Sequence, residues 1–143
     1  MPPSAFYPIL RPWTTRRVAL HGERLRVTVV DDNHDGADAL AAYLSLHDIQ
    51  CRAVYSGKDA IAIGSTWPSH LFLMDVSMPG CNGLQVARSL RLAPETATVL
   101  VIAHTALDEL SVRQHSTDGE FDGYFQKGWD PKQLIWLLAK LIG

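Results

Sequence analysis

Three short β-type runs stand out in this chain, Leu25–Val30, His70–Met74 and Val99–Ala103, and the last two do not alternate apolar and polar residues as a half-exposed strand must. Leu71-Phe72-Leu73-Met74 and Val99-Leu100-Val101-Ile102-Ala103 offer apolar side chains to both faces. Such strands are covered on both sides, the condition of a parallel sheet whose crossovers are helices. The intervening segments carry a helical period. Ala37, Leu40, Ala41 and Leu44 share one face, and in the helix predicted over Leu84–Leu92 the residues Leu84, Ala87, Arg88 and Arg91 recur at i, i+3, i+4 and i+7. Cys51–Tyr55 reads as a strand, Ser56-Gly57 as a turn, Lys58–Thr66 as a helix and Gly80–Gly83 as a loop. Ala106–Ser116 is predicted helical and Gly123–Gln126 extended, closed by Lys127. Asp130-Pro131 predicts a helix start, since Asp accepts from free amides at the N-cap and Pro at N1 has none to lose. Leu134, Leu137, Leu138 and Leu141 form the stripe that this last helix buries. Five strands alternating with five helices predict an α/β domain with helices on both faces of one sheet.

At 143 residues the chain has room for one domain of the usual ~150 residues. Hydrophobic residues make up 47% and charged residues 20%, which excludes a disordered chain. The net charge of −2 is unevenly spread. Residues 1–26 hold Arg11, Arg16, Arg17, Arg24 and Arg26 against Glu23, and the rest holds 8 basic and 14 acidic residues. An acidic body lacks the clustered Lys and Arg that phosphate contacts require, so no nucleic-acid partner is expected. No apolar run reaches the ~18 residues of a membrane span, and no secretory h-region is present, so a cytoplasmic protein is expected. Cys51 and Cys81 are too few for a disulfide framework and are read as reduced thiols. Pro2, Pro3, Pro8 and Pro12 break any regular pattern, so residues 1–24 are predicted to be an irregular basic extension, a loose tail. Sequence does not say where its aromatic residues Phe6, Tyr7 and Trp13 would dock.

In a parallel sheet the residues that follow the strands collect at one edge, where ligands bind. Here these are Asp31, Asp32, Asp75, Thr105 and Lys127. Three carboxylates in one crevice repel one another unless a cation neutralises them, and an all-oxygen donor set suits Mg²⁺. A carboxylate can also serve as a nucleophile and form an acyl phosphate, with metal and ammonium offsetting charge on the transferring oxygens. Asp75, alone at the end of an apolar strand, is the candidate nucleophile. The adjacent Asp31 and Asp32 are the candidate metal ligands.

Four pieces in order, Val29-Val30-Asp31-Asp32-Asn33, Leu73-Met74-Asp75-Val76-Ser77-Met78-Pro79-Gly80 through Gly83, Ala103-His104-Thr105-Ala106 and Tyr124-Phe125-Gln126-Lys127, resemble the receiver domains of two-component response regulators. The resemblance runs from Leu25 to Gly143. It implies a flavodoxin-like, doubly wound sheet in the order 2-1-3-4-5, with residues 25–143 as the receiver. It also implies that Asp75 accepts a phosphoryl group from a histidine kinase or histidine phosphotransfer protein. Asp31, Asp32, Asp75 and the Ser77 backbone carbonyl would hold Mg²⁺, and Thr105 and Lys127 would contact the phosphoryl oxygens. Thr105 and Tyr124 would be the switch pair: Thr105 moves toward the new oxygen and Tyr124 fills the space it leaves. A downstream protein would then read the face made by the fourth helix, fifth strand and fifth helix. No turnover of a separate substrate is expected.

Some positions depart from the family pattern. Gly128 stands where a proline with a preceding cis bond is usual. A cis bond before Gly costs about 2.5–4 kcal/mol, against about 0.5–1 before Pro, so a trans peptide is expected. Asp118-Gly119-Glu120 replaces a Gly directly before Phe121, which predicts a left-handed conformation on a non-Gly residue. Leu107, two residues after Thr105, cannot hydrogen-bond an attacking water, so self-dephosphorylation is expected to be slow; position 77, two after Asp75, is the other such tuning site. None of the six histidines has ligand spacing. Trp67 and Trp129 are expected to pack, and Trp136 to lie exposed on the last helix. The chain stops just after that helix, so a stand-alone receiver is the leading expectation. Two other readings stay open. One is a phosphorylation-independent binding module, which Gly128 favours. The other is an aspartyl-phosphate hydrolase, which would want an acid where Ser77 stands.

Overall fold

A computed structural model describes residues 10–78 and 82–143. The elements are β1 (Arg26–Val30), α1 (His34–Ser45), β2 (Gln50–Val54), α2 (Gly57–Thr66), β3 (Leu71–Met74), α3 (Gly83–Leu92), β4 (Leu100–Thr105), α4 (Glu109–His115), β5 (Gly123–Gln126) and α5 (Pro131–Lys140). All strand pairs are parallel and the order is β2-β1-β3-β4-β5, the expected doubly wound sheet. β3 is buried at every residue. Successive side chains enter two separate cores. Leu71 and Leu73 join Val27, Val29, Leu100, Ile102 and the Leu134, Leu137, Leu138 and Leu141 stripe of the last helix and its cap. Phe72 and Met74 join Val86, Leu90, Val101, Ala103 and Val112 on the opposite face. That partition accounts for the absence of alternation in the sequence.

Each helix starts on a side chain that accepts from its first turn: Asn33, Ser56, Asn82, Asp108 and Asp130. Capping corrects one boundary. α4 begins at Glu109 rather than Ala106, because Asp108 accepts from the Ser111 amide at 2.8 Å and spends residues 106–108 on the approach. The left-handed residue before β5 is Gly119, at φ +86°, so the expected strain on a non-Gly residue does not arise. Gly128 is left-handed too, at φ +95°, and no peptide among the described residues is cis. Pro79, Gly80 and Cys81, and residues 1–9 with Phe6 and Tyr7, lie outside the described residues. No helix among the described residues is long and apolar enough to cross a membrane.

Residues 10–24 hold no helix or strand, but they are not a loose tail. They form a strap over β5, the edge strand of the sheet. The Trp13 amide donates to the Asp122 carbonyl at 2.7 Å, and Val18 bridges Ile142 after α5. The anchor is Asp122, whose side chain is fully buried. It accepts from Arg16, Thr14, Arg91 (2.9 Å) and the Val101 amide (2.8 Å). A buried carboxylate is tolerable only when it is paired and hydrogen-bonded in this way. Among the described residues the basic surplus of the N-terminal segment is thus partly used up against one acid.

Asp122→Ala leaves two guanidiniums facing each other without their counter-ion. Removing one partner of a buried pair costs about 3–5 kcal/mol; the low end is expected because Arg16 and Arg91 keep part of their hydration. Urea denaturation should show a lower midpoint with an unchanged m-value, and an unchanged midpoint would contradict this role.

Candidate functional site

β1 and β3 are adjacent and in register, Val30 opposite Met74, so the residues that follow them leave the sheet side by side. The Asp75 amide donates to the Val30 carbonyl (2.9 Å) and the Asp31 amide to the Val54 carbonyl (3.1 Å), which carries the ladders to the very edge. Asp31, Asp32 and Asp75 each bring a carboxylate oxygen within 4.8 Å of the others; Asp31 and Asp75 are buried and Asp32 is exposed. Each buried acid takes one main-chain donor, Asn33 N on Asp31 (3.0 Å) and Ser77 N on Asp75 (3.1 Å). A Cβ on Gly83 would run into the Asp75 carbonyl, so glycine at the start of α3 lets the helix approach the site.

β4 and β5 supply the other side. Thr105, fully buried, ends β4 and accepts the Leu107 amide on its hydroxyl at 3.3 Å. The Lys127 amide donates to the Thr105 carbonyl at 2.9 Å, fixing the backbone from which the lysine reaches back. Its Nζ lies 2.7 Å from Asp31 Oδ2 and 3.0 Å from Asp75 Oδ2. Gly128 therefore leaves the ammonium at the carboxylates. Burial pushes the Asp75 carboxyl up from its ordinary value; the hydrogen bonds from Lys127 and the Ser77 amide oppose this, and the Asp31 charge adds to it. Burial also works against the Lys127 ammonium, but its hydrogen bonds to Asp31 and Asp75 outweigh that and raise it. Three carboxylates around one ammonium leave the crevice with more negative charge than one lysine neutralises. The donors are all oxygen and two are fixed by main-chain amides, which fits a hard divalent cation of the Mg²⁺ type.

The structure thus brings Asp31, Asp32, Asp75 and Lys127 together, with Ser77 beside Asp75 and Thr105 on the adjoining backbone. Tyr124 lies outside that group, one strand further, 5% exposed, its hydroxyl donating to the Leu107 carbonyl. His104 is a packing residue: burial, then the Lys127 charge, lower it to about 4, and its ring faces Phe125. Cys51 is a buried-type thiol pushed up to about 12. Trp136 is exposed on α5 (58%). Sequence reading missed the role of Gly83, for which its place in the loop after Asp75 was the only signal, and the Asp122 anchor, for which there was none.

The family description "Response regulator receiver domain" fits residues 27–139. The chain belongs to this family. It is 32% identical over 119 residues to the response regulator MprA of Mycobacterium avium (strain 104), covering 82% of this chain and 51% of that protein. It is 34% identical over 84 residues to the protein PilH of Pseudomonas aeruginosa, covering 59% of this chain and 69% of the relative. The chain spans about half the length of the MprA relatives it matches. Among solved structures, the chemotaxis protein CheY4 of Vibrio cholerae superposes with a TM-score of 0.76 at 18% identity, covering 83% of this chain and 99% of that one. The receiver domain of the sensor histidine kinase PA1611 of Pseudomonas aeruginosa, solved with magnesium in its active-site cleft, gives 0.76 at 22% identity, covering 84% and 98%. These likenesses establish the receiver fold, and the family match establishes a response regulator receiver domain of two-component systems.

Because the carboxyl of Asp75 is raised in the folded receiver, its ionised form lowers stability above the ordinary value of 3.8, and protonation relieves this as pH falls. Asp75→Asn is therefore predicted to melt above the wild type at neutral pH without divalent cation, Lys127 keeping Asp31 as partner. The gap should close below that value. An equal or lower melting temperature at neutral pH would contradict the assignment.

Proposed function

We propose that this receiver takes a phosphoryl group from a phosphohistidine onto Asp75. One Asp75 carboxylate oxygen forms the new P–O bond as the P–N bond of the donor breaks, and the histidine nitrogen leaves with its electron pair and takes a proton. Asp31, Asp32, Asp75 and the Ser77 carbonyl would hold Mg²⁺, which supplies charge neutralisation for the phosphoryl oxygens when bound. Lys127 offsets the remaining charge, and Thr105 offers a hydroxyl to the product. The observation that carries this reading is the Lys127 ammonium shared between Asp31 and Asp75, 2.7 and 3.0 Å away. A binding module without this chemistry has no use for two buried acids around one amine, and that is why the phosphoacceptor reading is preferred to the binding-module one.

The new phosphoryl group adds charge of about −1.5 to −2 at the sheet edge. Thr105 and Tyr124 would transmit it by biasing two arrangements of α4, β5 and α5. The donor would be a histidine kinase or histidine phosphotransfer protein in the cytoplasm, and a downstream protein would read the α4–β5–α5 face with the N-terminal strap docked on it. Residues 25–143 are the receiver in this reading, and residues 10–24 an appended segment.

Incubation with acetyl phosphate and Mg²⁺ should add the mass of one phosphoryl group, about 80 Da, and Asp75→Ala should abolish it. A folded wild type that gains no mass would contradict the proposal. Since Leu107 cannot orient a water, the isolated phosphoprotein should persist for far longer than seconds, and loss of the label within seconds would count against that role.

A further inference from the structure

The strap crosses the receiver where its switch residue sits. Trp13 is wedged between α4 and β5. Its indole lies parallel to the Tyr124 ring, with centroids 6.1 Å apart and planes 3° from parallel. The Arg113 guanidinium also stands over the Trp13 ring, 4.0 Å from its centre. Trp13 Nε1 donates to Glu109 Oε2 at 3.1 Å, and its main-chain amide is fixed on the Asp122 carbonyl. Behind Tyr124, Trp129 packs edge-on at 5.6 Å. Tyr124 is thus held at the hydroxyl by Leu107, by an edge contact with Trp129, and by an offset parallel stack with Trp13.

Two features separate this from ordinary edge cover. Main-chain bonds to Asp122 and to the end of α5, with the Arg16–Asp122 pair, already tie the strap down without the Trp13 side chain. Trp13 adds three contacts with α4 and Tyr124, elements that a phosphorylation switch would have to move. A Tyr124 ring rotated toward solvent would enter the space that the indole fills, so a docked strap and an outward Tyr124 exclude each other. If phosphorylation draws Thr105 toward the phosphoryl oxygens and Tyr124 inward, strap docking and phosphorylation select the same Tyr124 position.

We propose that residues 10–18 are an intramolecular latch that closes over the α4–β5 face and holds Tyr124 in its buried position, and that latch closure and Asp75 phosphorylation reinforce each other. The second half rests on the phosphoacceptor reading above; the first half does not. Thermodynamic reciprocity makes the coupling symmetric: whatever factor latch closure adds to the affinity for a phosphoryl mimic, the mimic adds to latch closure.

Trp13→Ala in the full chain removes the wedge but leaves the Arg16–Asp122 anchor, and Arg113→Ala loosens the wedge without touching the strap. With tetranitromethane and peptide mapping, Tyr124 should be nitrated several-fold faster in Trp13→Ala than in the wild type, and by an intermediate factor in Arg113→Ala. Equal protection of Tyr124 in folded wild type and variants would overturn the latch. In a second arm, calorimetric titration with beryllofluoride and Mg²⁺ should give several-fold weaker binding to Trp13→Ala. Equal affinity would overturn the coupling. No binding to any of the proteins would overturn the phosphoacceptor reading and the coupling with it, while the nitration rates still decide the latch.

Discussion

A single ammonium between two buried carboxylates sets the conditions for the rest of this receiver. The register of β1 against β3 forces Asp31 and Asp75 to leave the sheet as neighbours, where they repel each other in partial isolation from water. Lys127 relieves part of that repulsion, and it reaches the pair because β5 runs parallel to β4 and its amide closes onto Thr105. Three strand ends, each with its own ladder, thus meet at one charge. Burial, with a smaller contribution from the Asp31 charge, holds the Asp75 carboxyl up, and three carboxylates around one amine make a cation a natural complement to the crevice.

The opposite end of β5 solves a related problem by different means. Asp122 is buried beyond hydration, and two arginines, a hydroxyl and a main-chain amide satisfy it. One of those arginines and the hydroxyl come from the N-terminal strap. The strap is thereby tied to the core by charge, while its tryptophan meets Tyr124 and α4. Thr105, Leu107 and Tyr124 connect the site to the strap, linked by the Leu107 amide on the Thr105 hydroxyl and the Tyr124 hydroxyl on the Leu107 carbonyl. That short path is where a change of charge at Asp75 and a change of cover at Trp13 would meet.

The sheet and the acid cluster were legible in the sequence because both follow from local pattern. Leu71–Met74 is apolar on both faces because two cores flank it, and strand ends in a parallel sheet must converge. The start of α4 was misplaced because Ala106 and Leu107 fit a helical period, while the cap that decides the boundary is Asp108. The position of the left-handed turn followed from φ at Gly119, which spacing alone did not fix. The strap was illegible for a different reason. Its prolines and arginines describe a solvated tail until Asp122, more than a hundred residues away in the chain, supplies the counter-charge. Long-range pairing of this kind leaves no periodic trace.

The most direct test of the charge arrangement is a crystal structure of the protein with Mg²⁺ and beryllofluoride. The predicted result is beryllofluoride on Asp75 with Lys127 at its fluorines, and the metal held by Asp31, Asp32, Asp75 and the Ser77 carbonyl. An empty crevice with the Lys127 side chain turned into solvent would contradict it.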